Sequence, residues 1–290
     1  MNALTKNIVL FPFNVLYMCS PKLTLCVLYA IKQNRLLNIN NPELYTEKLQ
    51  WIKLYDKNPL MPICCDKYWV RSYVEECGCG EILNDLIWEG ENPEEIPFES
   101  LPEQFVIKAT HGSTFNIICK DRKQLNRDEV VRKCSKWLHE KFLPCYGEWF
   151  YGVKKPRIIV EKYLENREVG QLIDYKVFCF NGKAAYIVVD SDRFTNHKRD
   201  VYDTEWKHLD DIQAGFANAG DIFSKPNCLE KLLNYAEKLS KPFLHARVDF
   251  YVLEDRIVFG EITFTNGSGF DRFDIKLDKK MGSLLKLKKS

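Results

Sequence analysis

The segment HARVDFYVLEDRIVFGEITFT, residues 245–265, decides the fold. It reads as two strands joined by a turn near Glu254–Arg256. Strand side chains alternate between faces, so Arg247 and Asp249 share one face. A three-residue turn over 254–256 sets Asp249 opposite Glu261, and Thr263 then joins the same face; a two-residue turn breaks that pairing. Two carboxylates held side by side are costly unless a cation lies between them. Mg²⁺ takes one or two carboxylates together with phosphate oxygens. The same pattern also suits polar positions on a half-solvated strand, and the hairpin alone leaves both readings open.

Upstream of the hairpin, strands gather in the second half of the chain. RIIVEKYL (157–164), DYKVFCFNGK (174–183) and AAYIVVD (184–190) read as strands, with Asn181-Gly182 as a tight hairpin turn. FVIKA (105–109) and NIICK (116–120) flank a short loop over residues 110–115. Helical spacing marks residues 42–59, 66–76, 127–142 and 228–240, with Asp66 as a candidate cap. Residues 89–102, rich in Glu, Pro, Asn and Gly, read as a connecting loop. Helices come first and strands mostly later, which is an α+β order.

Composition narrows the classes. The chain has 290 residues, a formal net charge of +2, 46% hydrophobic and 13% aromatic residues, and a mean hydropathy of -0.31. Such apolar content excludes a disordered chain, and near-neutral charge argues against nucleic acid as a partner. The length suits one large domain or two tightly joined lobes. Eleven cysteines show no regular spacing and no C-x-x-C pair, so they read as reduced small apolar residues of a cytoplasmic protein. The apolar run 7–31 is interrupted at Pro12, Asn14 and Ser20-Pro21-Lys22, so each piece is too short to span a bilayer, which takes ~20 apolar residues. Two readings stand for residues 1–35: short segments packed on the globular body, or an interfacial segment on the inner face of a membrane.

Two further clusters carry chemistry. Lys108 ends a strand ahead of His111-Gly112-Ser113-Thr114, an arrangement that can clamp phosphate through a point charge and backbone N–H groups, although an ordinary hairpin has the same look. Glu161, Tyr163 and Leu164 close another strand before Asp174 and Lys176 open the next; backbone there can read an adenine edge and a carboxylate can take ribose hydroxyls, as plain polar strand ends also would. The phosphate-loop and dinucleotide fingerprints are absent: after Gly147 and Gly152, Val153 stands where Lys is required.

In this order the clusters resemble the ATP-grasp superfamily, and more narrowly the TupA-like ATP-grasp family of cell-surface polysaccharide biosynthesis. The segments that carry the resemblance run from about residue 40 to 287 and include TEKLQWIKLYD, DKYWVRSYV, LPEQFVIKATHGSTFNIICKD, KPRIIVEKYLE, HARVDFY and FGEITFTNGSGF. The resemblance implies an ATP-grasp fold, two α+β lobes gripping ATP behind a helical N-terminal segment. It divides the chain into an apolar segment (1–40), a helical region (41–104), a small lobe with the phosphate loop (105–164) and a large lobe with metal and substrate sites (165–290). Lys108 and Lys176 would contact ATP phosphates, with Gly112, Ser113 and Thr114 as the covering loop. Glu161, Tyr163 and Leu164 would frame adenine, and Asp174 would hold ribose. Asp249, Glu261 and Thr263 would hold Mg²⁺, and Arg247 would steady the transferred phosphoryl group. Thr263 stands where such enzymes usually carry Asn, and Thr114-Phe115 replace the glycines expected after Ser113.

The implied reaction is ADP-forming amide synthesis between the carboxylate of a sugar acid (a uronate) and an amine or amino acid, through an acyl phosphate. The basic stretch 191–199, with Arg193, His197 and Arg199, would bind the acid, and the turn at Ser268 would leave it room. The alternatives are a phosphotransferase acting on a glycan hydroxyl and a non-catalytic nucleotide- or glycan-binding protein.

Overall fold

The computed structural model describes residues 3–165, 172–191, 198–209, 223–254 and 256–288. In chain order the elements are α1 (Ala3–Cys19), α2 (Pro21–Gln33), α3 (Tyr45–Tyr55), α4 (Met61–Cys64), α5 (Val70–Glu76), β1 (Leu86–Gly90), β2 (Phe105–Ala109), β3 (Asn116–Cys119), α6 (Arg127–His139), β4 (Ile158–Lys162), β5 (Asp174–Phe180), β6 (Lys183–Ser191), β7 (Lys198–Asp203), α7 (Leu229–Ser240), β8 (His245–Leu253), β9 (Arg256–Thr263) and α8 (Ile275–Leu284). Two antiparallel sheets result: a four-stranded sheet in the order β1-β4-β2-β3 and a five-stranded sheet in the order β7-β6-β5-β8-β9.

The four-stranded sheet buries one face against a helix, whereas the central strand β5 of the five-stranded sheet is buried on both. The five-stranded sheet packs Val177, Ile187, Val248 and Phe250 on one face with Leu232 and Leu239 of α7, and on the other sets Phe180 and His245 against Tyr45 of α3. The four-stranded sheet packs Phe105, Ile107 and Val160 with Val130 and Cys134 of α6. Apolar side chains at strand period two meet helical faces at period 3.6, so each layer closes its own core. The turn expected at Asn181-Gly182 forms, with φ of 50° and 77°, the left-handed pair that a tight hairpin turn requires.

Two strands escape a reading of local pattern. β1 lies at the start of the expected loop 89–102; its pairing with β4 is broken by an irregularity between Leu86 and Trp88, so it lacks clean alternation. β7 runs KRDVYD, and its charges hide a strand that buries Asp200 against the ring of His208, 3.0 Å away. Arg199 is therefore a strand residue, not part of a basic loop.

Pro12 does not break the N-terminal run, as the sequence led us to expect. It sits inside the continuous helix α1, whose inner face packs on α2 and on the turn Pro144–Tyr146. Proline costs a helix one backbone hydrogen bond, and tertiary packing outweighs that loss here. Ser20 then caps α2, accepting from the Leu23 backbone N–H at 3.4 Å, with Pro21 at the first helical position where its missing donor costs nothing.

Candidate active site

The β8–β9 hairpin brings its polar face together by a route that differs from the expected one. Leu253 pairs with Arg256, so two residues connect the strands rather than three. Asp249 nevertheless faces Glu261, and Arg247 faces Thr263, because the register shifts between Asp249 and Phe250. Phe250 pairs with Phe259, which leaves Gly260 as the extra residue of a β-bulge. A Cβ at Gly260 would lie 3.0 Å from the backbone oxygen of Asp249, so glycine lets the strands keep their spacing.

Arg247 ties the face together. Its guanidinium donates through Nε and Nη2 to both oxygens of Asp249, at 2.7 Å each. Nη2 also reaches Glu261 Oε1 at 3.2 Å and Thr263 Oγ1 at 3.1 Å. Burial opposes the Arg247 charge, and Asp249 and Glu261 more than offset that cost and raise its pKa. Burial pushes the Asp249 carboxyl up to about 6, against the lowering pull of Arg247 and Lys176. Glu261 keeps 40% of its side chain exposed. Its burial is partial, and Lys67, Arg247 and Lys176 hold its pKa below the usual carboxylate value.

Beside these residues, on the same face of the sheet, β5, β6 and β7 add a buried cluster. Lys176 Nζ sits 3.1 Å from Asp174, 3.1 Å from Asp190 and 3.9 Å from Asp249. Arg199 clasps the other side of Asp190, with Nε at 2.6 Å and Nη2 at 3.1 Å. Antiparallel pairing explains the convergence, since Lys176 lies opposite Asp249, Asp174 opposite Asp190, and Asp190 opposite Arg199.

The four-stranded sheet supplies a separate group. Lys108 Nζ lies 2.6 Å from Glu161 Oε2, and Arg71 approaches the other oxygen at 3.5 Å. Tyr163 and Leu164 follow β4, half-buried, with Lys120 over the Tyr163 ring at 6.0 Å. In the loop after Lys108, Gly112 and Thr114 both take left-handed backbone, φ 77° and 68°. Phe115 stacks on Trp137 with ring centroids 5.6 Å apart, and a Cβ on Gly112 would strike that phenyl ring. The bulky end of the loop is thereby anchored on α6.

A cavity of about 430 Å³ runs between the loop after Lys108 and the hairpin face, while Lys108, Glu161, Tyr163 and Leu164 do not line it. Gly112 and Ser113 line one side, and Arg247, Glu261, Thr263 and Ser268 another. Lys67 bridges them: its Nζ donates to the Gly112 carbonyl at 2.8 Å and stands 3.8 Å from Glu261. Glu148, on the same wall, accepts hydrogen bonds from Thr265 Oγ1 and, at 2.8 Å, from Ser268 Oγ. Ser268 is thus a fixed part of the wall rather than open space. Residues 267–269 all have positive φ, and Lys53 and Gln50 hold this turn through the carbonyls of Ser268 (2.7 Å) and Gly269 (2.6 Å). Arg247 also borders a smaller cavity with Lys176, Arg199, Asn266 and Asp271. Arg199 and Ser268 therefore stand on different cavities, with Arg247 as the shared wall. Arg193 and His197 lie outside the described residues. The sequence reading missed Lys67, Glu148, Asp190 and Asp271, none of which has a local signature.

A sequence-family model described as TupA-like ATPgrasp matches residues 47–286. The chain belongs to this family. The two sheets described above are accordingly those of an ATP-grasp fold. The chain is also similar to D-alanine–D-alanine ligase from Bacillus anthracis complexed with ATP, at 16% identity and a TM-score of 0.43 over 70% of this chain and 55% of that one. It is similar to D-alanine–D-alanine ligase from Helicobacter pylori at 15% identity and a TM-score of 0.45, covering 85% and 70%. With phosphoribosylamine–glycine ligase from Thermotoga maritima it shares 14% identity and a TM-score of 0.44, covering 71% and 48%. The chain thus spans less than two thirds of the length of the first and third of these proteins. Comparison with curated proteins yields no significant match. Among the described residues no helix is long and apolar enough to cross a membrane, and no group of three or more His, Cys, Asp or Glu side chains could hold a metal ion.

Proposed function

We propose that this TupA-like ATP-grasp protein is an ATP- and Mg²⁺-dependent carboxylate–amine ligase that forms an amide on a sugar acid of a cell-surface polysaccharide, working where ATP is supplied, in the cytoplasm. One observation carries the reading: Arg247, Asp249, Glu261 and Thr263 converge on one hairpin face, and Arg247, Glu261 and Thr263 of that face share a cavity with the Gly112-Ser113 loop. The donors on that face are carboxylate and hydroxyl oxygens, which fit a hard cation. Asp249, Glu261 and Thr263 are the residues that would hold Mg²⁺, which when bound neutralises phosphate charge.

The chain's own side chains perform the rest. Lys108 and Lys176 bind the phosphates, exchanging carboxylate partners for phosphate oxygens, and the 112–114 loop covers them with backbone N–H donors. Glu161, Tyr163 and Leu164 receive the adenine, and Asp174 receives the ribose. A carboxylate oxygen of the sugar acid forms a bond to the γ-phosphorus while the bridging P–O bond breaks and ADP leaves. The amine nitrogen then bonds to the acyl carbon, phosphate departs and the amine gives up a proton. Arg247 steadies the charge on the transferred group, and covering by the 112–114 loop would keep water from the acyl phosphate. Arg199, beside Arg247 on the smaller cavity, supports an anionic acceptor.

The test incubates the full chain with ATP, Mg²⁺, uronic acids and amino acids, and measures ADP, phosphate and the mass of any amide. Equal amounts of ADP, phosphate and amide are expected. A phosphorylated sugar without amide would establish the phosphotransferase alternative. No ADP together with no magnesium-dependent thermal stabilisation by an ATP analogue would establish the non-catalytic one.

A further inference from the structure

The N-terminal helices have more apolar surface than their packing uses. α1 turns Leu10, Phe13 and Tyr17 inward, and its Asn14 side chain accepts the Cys145 backbone N–H at 3.0 Å. The opposite stripe, Ile8, Phe11, Val15 and Met18, follows helical spacing and faces solvent, with Phe11 65% and Met18 84% exposed. Leu23 and Ile31 add exposed apolar surface from α2. Scattered exposed leucines are ordinary on a protein surface, but a continuous stripe along one helix marks an interaction face.

Charge selects the partner. Residues 1–42 contain Lys6, Lys22, Lys32 and Arg35 and no Asp or Glu. Arg35 is committed to Asp278, 2.5 Å away, and Lys32 lies over the rings of Tyr146 and Phe270, while Lys22 is exposed beside Asn40. The 17-residue helix is about 25 Å long, shorter than the ~30 Å hydrocarbon core of a bilayer, and one of its faces is already bound to protein. Such a segment lies along a bilayer rather than across it. The region also precedes residues 47–286, where the family match lies. We propose that the α1–α2 hairpin is a docking surface for an anionic lipid bilayer.

The inference is independent of the ligase reading, since it needs no turnover. It does tie the surface to the site. The turn at 144–146, against which α1 and α2 pack, continues into Leu143 and Tyr146, which line the large cavity. Gln33 Nε2 also donates to the Asp271 carbonyl at 2.9 Å, and Arg272 Nε to the Lys32 carbonyl at 2.8 Å. A second copy of the chain is a poorer occupant than lipid, because it would bring the same cations face to face.

Vesicle flotation of the full chain tests this, with phosphatidylcholine vesicles alone and with added phosphatidylglycerol, at low and high salt. Binding is expected to need the anionic lipid and to weaken with salt. Phe11→Ser with Met18→Ser should weaken it about tenfold with Tm unchanged, since both side chains face solvent; Val15→Ser is the second variant if that pair lowers Tm. Lys22→Glu should weaken binding less, and only at low salt. The proposal is overturned if the wild type floats with neither vesicle, or if the apolar variants float as well as wild type. It is equally overturned if those variants instead abolish a dimer seen by sedimentation in the absence of lipid.

Discussion

The two sheets arrange charge in different ways. The four-stranded sheet sets two cations, Lys108 and Arg71, around one carboxylate, Glu161, and Lys108 keeps 27% of its side chain exposed. The five-stranded sheet sets four carboxylates, Asp174, Asp190, Asp249 and Glu261, around three cations, Lys176, Arg199 and Arg247, and most of these are buried. Lys67 approaches Glu261 from outside that set. A cation-rich, half-open cluster suits phosphate oxygens that come and go. A carboxylate-rich, buried cluster with one exposed corner, Glu261, suits the metal role proposed above. The difference separates a half-open cluster from a buried one, whose Lys176 must leave its carboxylate partners before it can meet a phosphate.

The largest expected effect is on turnover at that open corner. Glu261→Gln should lower turnover about 10²–10³-fold while Tm stays near wild type, because the side chain is half-exposed and Arg247 keeps Asp249. Asp249→Asn should lose turnover and also about 3–5 kcal/mol of stability, because it strips the buried Arg247 of its bidentate partner. Equal stability in the two variants would break the distinction between open corner and buried frame.

Urea unfolding compares the lysines directly. Lys176→Met should cost about 3 kcal/mol, since it leaves buried carboxylates short of a cation. Lys108→Met should cost under about 1 kcal/mol, because its partner Glu161 keeps Arg71. Matching losses would show that both clusters are structural.

Acid should act through the large sheet. His245, buried at the start of β8, has its pKa lowered to about 4 by burial. A neutral ring with its proton on Nδ1 satisfies both its partners, donating to the Cys179 carbonyl at 3.0 Å and accepting from Tyr45 Oη at 2.9 Å. The unfolded ring binds its proton near pH 6.5 and the folded ring near 4, so stability falls as pH drops between those values, by up to about 3 kcal/mol. His245→Gln should flatten that part of the Tm-against-pH curve, and an unchanged slope would place the acid sensitivity elsewhere.

The smallest effect on turnover belongs to the bulge. Gly260→Val should push on the Asp249 backbone, costing about 1 kcal/mol and roughly tenfold in turnover. Wild-type turnover in this variant would mean that the hairpin absorbs the change without moving Asp249.

Taken alone, the sequence determined whatever depends on local period and turn chemistry. Alternation in 245–265 placed Arg247 with Asp249 and Glu261 with Thr263, and Asn181-Gly182 marked its hairpin because few residue pairs accept two left-handed positions. The family match over residues 47–286 bears out the resemblance drawn from the motifs. Tertiary structure decided what local signals cannot carry. Pro12 remains helical because packing outweighs one lost hydrogen bond. β1 and β7 exist because neighbouring strands complete their hydrogen bonds, whatever their composition. Lys67 and Glu148 reach the cavity from segments far from the hairpin in sequence. The bulge at Gly260 corrects a turn one residue too short, so the pairing of Asp249 with Glu261 rests on a glycine that no periodicity distinguishes. Side-chain period is written in neighbouring residues, whereas register and convergence are set by the contacts between strands and helices that folding brings together.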